Sequence, residues 1–468
     1  MKSNITKKLV VAGLSVSLLG GIGLNSTAIF GLPQTAGIEV EAATNAKEVK
    51  NIAQFEEALQ NASVTEISVK GNIKFTKNIT NIPARDLTIN GNKEDGYTID
   101  SGRFSIYGKN SSLKAANAGE NNTFSIVNAD IVGAQTDGRF FTGGSGNGPS
   151  SYGWDVYAKD VKYEGARFVH LSEGKLIFDG KNEINTRAEN AWVHDLEFKE
   201  GSEYNGQAAM KDHGQFSAFY FNGRLVDGEA TGKVDIGRDA KVNVKISPQS
   251  DVNYYYPVFY DKVYQVNVGE DAKLDVDAAG VAFQFIPRAD YKNIPSLNLA
   301  YNSKVKFNGR GGGKYQAMKL QQYGTQINQD ESSELVIYGN SANGVIESIY
   351  EYAGFNLYQA GNLDIANKKA NAPLFRGDRT FIQGYGLDAI YTWNKDGGNY
   401  PNETIKDKFR DNEYFNTYVG LGGDAKNNDV SAEVFGPIEE TRDNFQAADY
   451  GRVVFRAGGS EPGNGGSN

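Results

Sequence analysis

Asp275-Val276-Asp277 alternates two carboxylates onto one face of an extended segment. A polysaccharide lyase would need such acids to hold Ca²⁺ against a uronate, together with a basic residue to abstract a proton. A hard cation wants about six or more oxygens. At the equivalent repeat positions stand Asn243 and Lys306, which make a poor cage. Arg288, in Ile286-Pro287-Arg288, is the best basic candidate, yet with no matched carboxylate cluster it reads equally as a surface arginine. His170, His194 and His213 match no local metal motif and read as singly placed structural histidines. Trp192-Val193-His194-Asp195 puts Trp192 and His194 on one face by alternation, so packing beside a core explains it as well as catalysis does. Glycosidic hydrolysis by a carboxylate pair finds too many acids to choose among. The glycine-rich run 143–153 lacks the Gly-Lys-Ser/Thr ending that cradles phosphate and reads as a surface loop. No catalytic residue, metal site or cofactor is assigned.

A binding set is more visible. Tyr254, Tyr255 and Tyr256 come first, then Phe285, Arg288 and Tyr291, then Arg310, Lys314 and Tyr315. Each group falls in a similarly placed insertion, so stacking would line them up as an aromatic and basic strip. Aromatic faces suit sugar rings and protein ligands alike, giving contact area at small entropic cost. The alternative is that several of these rings fill the core.

The element that must position them is an eleven-residue phrase running from Val234 to Val244, which returns at Val266–Val276 and at Leu297–Phe307. The steps are 32 and 31 residues, within the range that signals stacked repeats. Each copy holds two alternating apolar pairs around Gly/Ala-x-Asp/Asn-Ala/Ser, a tight-turn composition. A weaker fourth copy spans Ile327 to Ile337. Single copies cannot bury their apolar faces, but a stack can, with valines and leucines in columns. Third strand-like runs follow at Tyr256–Tyr260, Val281–Ile286 and Tyr315–Leu320. Three short strands per turn predict an all-β parallel β-helix. A sandwich of hairpins also fits strand–turn–strand, but gives no reason for a fixed step. In-register stacking would set Lys241, Lys273 and Lys304 in one repulsive ladder, with Asp239, Asp271 and Asn302 nearby to relieve it.

Apolar residues make up 39% of the 468, enough for a long core, and cysteine is absent, so no disulfide supports the fold. A net charge of −9 with 48 Lys+Arg leaves no nucleic-acid footprint and suits anionic membranes poorly. Residues 1–43 read as a signal peptide, with Lys2, Lys7 and Lys8 before the apolar stretch Leu9–Leu24 and Val40-Glu41-Ala42 as cleavage site. A secreted chain with no stable membrane insertion after signal removal is expected.

Residues 44–62 carry the clearest helix, with capping-box spacing from Asn51 to Gln54 and Ile52, Phe55 and Leu59 on one face. It is expected to cover the open end of the stack. The coil is expected over 63–370, final rungs and a second cap over 371–456, and a flexible tail over 457–468.

The run Val64-Thr-Glu-Ile67-Ser-Val69, Gly71-Asn-Ile73, Arg85-Asp-Leu87-Thr-Ile89-Asn-Gly91 and Tyr97-Thr-Ile99-Asp100 resembles the opening of the pectate lyase-like adhesive domain of Gram-positive surface proteins. Asp239-Ala-Lys-Val-Asn-Val244 resembles its later rungs. The resemblance extends over about 45 to 450 and implies a right-handed parallel β-helix with a role in attachment. It leaves two functions open. One is a surface-associated adhesin contacting extracellular glycans, host molecules or other cells. The other is a carbohydrate-active enzyme, a Ca²⁺-dependent lyase foremost, on the same fold.

Overall fold

The computed structural model describes residues 45–110, 121–136, 138–143, 152–210, 216–223, 225, 229–247, 255–286, 293–310, 314–348, 353–377, 380–385, 387, 389–395, 403–406, 414–421, 430–435 and 449–457. The expected signal peptide, the tail beyond 457, most of the glycine-rich loop, His213, Tyr254, Arg288 and Tyr291 lie outside these residues.

The described chain winds as a parallel β-helix with three sheets. The first carries thirteen parallel strands, from Ala46–Val49 to Thr380–Tyr385. The second runs in parallel from Ile73–Lys74 to Asn362–Asn367. The third has short strands in a seven-stranded and a four-stranded segment, ending at Phe375–Gly377. In each phrase the two apolar pairs belong to different sheets, which removes the hairpin alternative: Gly232–Ile236 lies in the first sheet and Lys241–Ile246 in the second.

Alternation fixes what faces in. Leu196, Val234, Val266, Leu297, Ile327 and Phe355 pair rung by rung and are all fully buried. In the second sheet Val242, Leu274, Val305 and Leu335 do the same. Each such side chain contributes about 1.5–3 kcal/mol on leaving water. Lower in the coil the filling is aromatic: Phe140, Phe168, Phe178 and Phe198 follow one another at ring separations of 6.4, 6.4 and 5.4 Å.

The corner between the first two sheets explains the turn composition. Asp239, Asp271, Asn302 and Ser332 take φ of 57°, 57°, 54° and 59°, the left-handed region where short polar side chains are enriched. Two positions earlier the backbone passes close to the rung below. A Cβ on Gly269 would lie 2.8 Å from the Ile236 carbonyl oxygen.

The lysine ladder forms, with Lys241, Lys273 and Lys304 directly paired. Its relief differs from the expectation. Glu203 holds Lys241 at 3.3 Å and Glu334 holds Lys304 at 2.7 Å, while Asp271 is occupied at the corner by the Asn302 amide. The acids two positions earlier sit at the left-handed corner, before the lysine-bearing strand begins.

The helix spans Ile52–Gln60 and buries Phe55, Ala58 and Leu59. Its N-cap Asn51 accepts from the Gln54 N–H at 3.1 Å, and the Gln54 side chain accepts from the Lys50 N–H at 2.8 Å, one residue earlier than a strict box. The segment expected as cap helix also contains a strand, Ala46–Val49, on the edge of the first sheet. At the other end, parallel stacking continues past 370. Thr380–Tyr385 keeps Ile382 in the column above Phe355 although the corner phrase is gone. Beyond it pairing becomes antiparallel: Tyr450–Arg456 lies against Asn362–Asn367 and against Ala389–Asn394. Among the described residues no helix is long and apolar enough to cross a membrane.

Candidate functional site

The outer face of the third sheet carries a continuous line of rings. The strands from Val169–His170 to Phe259–Asp261 are two or three residues long, so each presents one outward residue there. Register pairs His170 with Trp192, Trp192 with Tyr220, and Tyr220 with Tyr260. Their ring centroids are 4.5, 5.0 and 5.7 Å apart. The line continues through Tyr256, 4.8 Å from Tyr260, then Tyr255 at 5.6 Å, then Tyr315 at 5.6 Å. All of these tyrosines and Trp192 are half-buried. Burial together with its tyrosine and Asp261 neighbours pushes the Tyr260 hydroxyl up to about 12, so it stays a neutral donor.

Cations are built into this strip. The Arg167 guanidinium lies 4.5 Å from the Trp192 ring and is held by Glu189. The Lys319 ammonium, itself buried, lies 5.3 Å from both Tyr255 and Tyr315 and pairs with Glu347 at 3.1 Å. Gln284 donates to the Tyr255 hydroxyl at 3.2 Å and to Gln321 at 2.7 Å. Packing and hydrogen bonds therefore fix Tyr255 and Tyr315 in place before any partner arrives.

Of the residues expected on the strip, Tyr255, Tyr256 and Tyr315 are brought together. Phe285 is placed elsewhere: it is buried in the core and 5.0 Å from Phe283. Arg310 is also placed elsewhere. It donates to the carbonyls of Ile246 and Ser247 and meets Asp277 at 2.9 Å, clamping three rungs at the next corner. Lys314 is exposed above Tyr315, 5.3 Å from its ring.

Trp192, Tyr220, Tyr260 and Lys319 were missed in the sequence, because the third strands are too short to show a period of two.

His170 does not supply a nucleophile's base. His170 is buried, and its Nδ1 accepts from the Arg139 guanidinium at 2.9 Å. Its Nε2 must then carry the proton and donate to Ser172 Oγ at 3.0 Å. Burial, then the charges of Arg139 and Arg167, lower its pKa to about 3. A neutral imidazole in this tautomer cannot take the serine proton. His194 lies past the end of strand Ala191–Val193, against Thr231 and Asp195, at 2.9 and 3.1 Å. The alternation expected to carry it beside Trp192 stops with the strand.

Asp275 and Asp277 separate in role. Burial raises the Asp275 pKa, with Lys306 opposing, while Asp277 is engaged by Arg310 and by the Asn308 amide at 2.9 Å.

No curated protein sequence matches the chain. Two solved structures are similar to it. L. reuters 100-23 SRRP is 16% identical with a TM-score of 0.49, covering 74% of this chain and 100% of that one. L. reuteri 53608 SRRP is 16% identical with a TM-score of 0.40, covering 71% and 100%. Residues 46–170, the opening turns of the coil and the first of the ring-bearing strands, match the family model of the pectate lyase-like adhesive domain.

Proposed function

We propose that the protein is a secreted, cell-surface-associated adhesin, and that the ring strip on the third sheet is its contact face for extracellular glycans or cell-surface proteins. The observation that carries this is the sequence of half-buried rings from Trp192 to Tyr315, the first three on hydrogen-bonded strands and the others on the adjoining loops. Adjacent strands at ~4.8 Å spacing carry Trp192, Tyr220 and Tyr260, and Tyr256, Tyr255 and Tyr315 extend the line from neighbouring loops, giving contact for several sugar units or a peptide segment. Fixed aromatic side chains lose little entropy on binding. The match to an adhesive-domain family supports the same assignment.

The test is attachment of the full chain to immobilised mucin-type glycans and to epithelial cell layers. Tyr255→Ala and Tyr220→Ala are each expected to weaken it about tenfold, ~1.4 kcal/mol, with the unfolding midpoint nearly unchanged. Undiminished attachment by both variants would remove the strip as the contact face.

A further inference from the structure

The middle residue of the first apolar pair in each phrase was left without a role by the sequence. In register these residues form an outward column on the first sheet: Asp235, Asn267, Asn298, Asn328 and Asn356. Each carboxamide donates to the one before, at 2.7, 2.9, 2.8 and 2.7 Å. Beside this wall runs a groove of about 680 Å³ along the stacking direction. Small residues, Gly237, Gly269 and Ala300, leave its floor open, and Tyr358 stands at one end, half of it exposed.

We infer that this groove is a second binding site, for a linear uncharged polysaccharide laid along the coil. Three observations select that occupant. The ladder leaves hydrogen-bonding capacity facing the groove. Among the described residues Asn267 and Asn328 each keep one N–H, and every ladder oxygen keeps a lone pair. Hydroxyls, which donate and accept, satisfy both.

The groups also recur once per rung, at ~4.8 Å. A pyranose ring is about as long as a rung is high, whereas an extended peptide advances ~3.4 Å per residue and loses step within two rungs.

Charge decides the remainder. Glu197, Glu200, Asp235 and Asp330 line the groove against Lys199, and Glu197 is already paired with Lys175 and Lys199. A polyanion would meet net negative charge. A neutral chain meets amides, small apolar floor residues and one ring, a combination suited to a sugar's polar edge and apolar face.

The experiment titrates the full chain calorimetrically with three uncharged hexasaccharides (β-1,4-linked glucose, β-1,4-linked xylose and α-1,4-linked glucose) and with hexagalacturonate. At least one uncharged hexamer is expected to bind, and hexagalacturonate to bind at least tenfold more weakly. Ala300→Trp, which fills the floor, should weaken that hexamer at least tenfold, and Asn328→Ala, which interrupts the ladder without adding bulk, should weaken it severalfold. Tyr255→Ala should leave it unchanged, which separates this site from the ring strip whether or not the strip mediates attachment. Absence of binding by all three uncharged hexamers overturns the inference. So does a hexamer affinity that neither groove variant alters.

Discussion

Lys273 sits between Lys241 and Lys304 in register, and among the described residues it has no carboxylate within ion-pair distance, while its two neighbours are tied outward to Glu203 and Glu334. Reversing its charge tests the register and the electrostatics together. A directly opposed like-charge pair costs, and an opposite pair gains, about 0.2–1 kcal/mol. Lys273 is exposed, which puts each term at the lower end of that range. Lys273→Glu converts two repulsions into two attractions and should stabilise the coil by ~0.5–1 kcal/mol. Lys273→Gln removes the repulsions alone and should give about half of that.

The assay is the urea midpoint at about 0.01 M and about 1 M NaCl, between which the screening length falls from about 30 to about 3 Å. The gain of the glutamate variant should be largest at low salt and nearly vanish at high salt. A glutamate variant less stable than wild type at low salt, or a gain indifferent to salt, would refute the stacking of these three lysines as the source of strain.

Three further expectations follow from single sites. Phe178→Ala opens a cavity between Phe168 and Phe198 and should cost about 3–5 kcal/mol, read by denaturant midpoint; a cost below 1 kcal/mol would contradict that packing. Asp271→Val puts a β-branched residue at φ 57° and should cost ~1–2 kcal/mol, whereas Asp271→Gly should cost less, because glycine removes the strain and loses only the bond to Asn302. His170 has a folded pKa of about 3, below its ordinary value near 6.5, so the unfolded chain binds the extra proton between those values. Stability should therefore fall as pH drops from about 6.5 towards 3, and His170→Gln should flatten that slope; an unchanged pH profile in the variant would place the acid sensitivity elsewhere.

The inward half of the molecule was legible in the sequence because stacking demands the same side-chain class at the same place on every turn. Val234, Val266 and Leu297 were readable as a column before any geometry, and so was the corner that brings Asp239, Asp271 and Asn302 into one conformation. Legibility ended where the corner ended. Thr380–Tyr385 stacks through Ile382 within the stretch expected to hold the final rungs, but without the Asp/Asn turn the sequence did not place its register. The helix was readable from its cap and its apolar face, while Ala46–Val49 was not, since three of its four residues are exposed.

The outward half follows a different logic. A residue facing solvent is constrained only by its neighbours on adjacent turns, so its partner lies about 30 residues away and carries no local pattern. Trp192 and Tyr220 became a pair only once the register set one over the other, and Asn267, Asn298 and Asn328 became a ladder in the same way. Phe285 shows the converse. It shared composition with the strip, yet as the residue two after Phe283 on the strand Phe283–Phe285 it shares that residue's inward face. Insertion length told where aromatic residues cluster, but only strand pairing decides which face of the sheet receives them. Register is thus the quantity that turns this repeat into surfaces. A one-residue slip would send the rings inward and leave the aliphatic columns in water, so the same columns that stabilise the coil also hold the ring strip and the amide groove on its exterior.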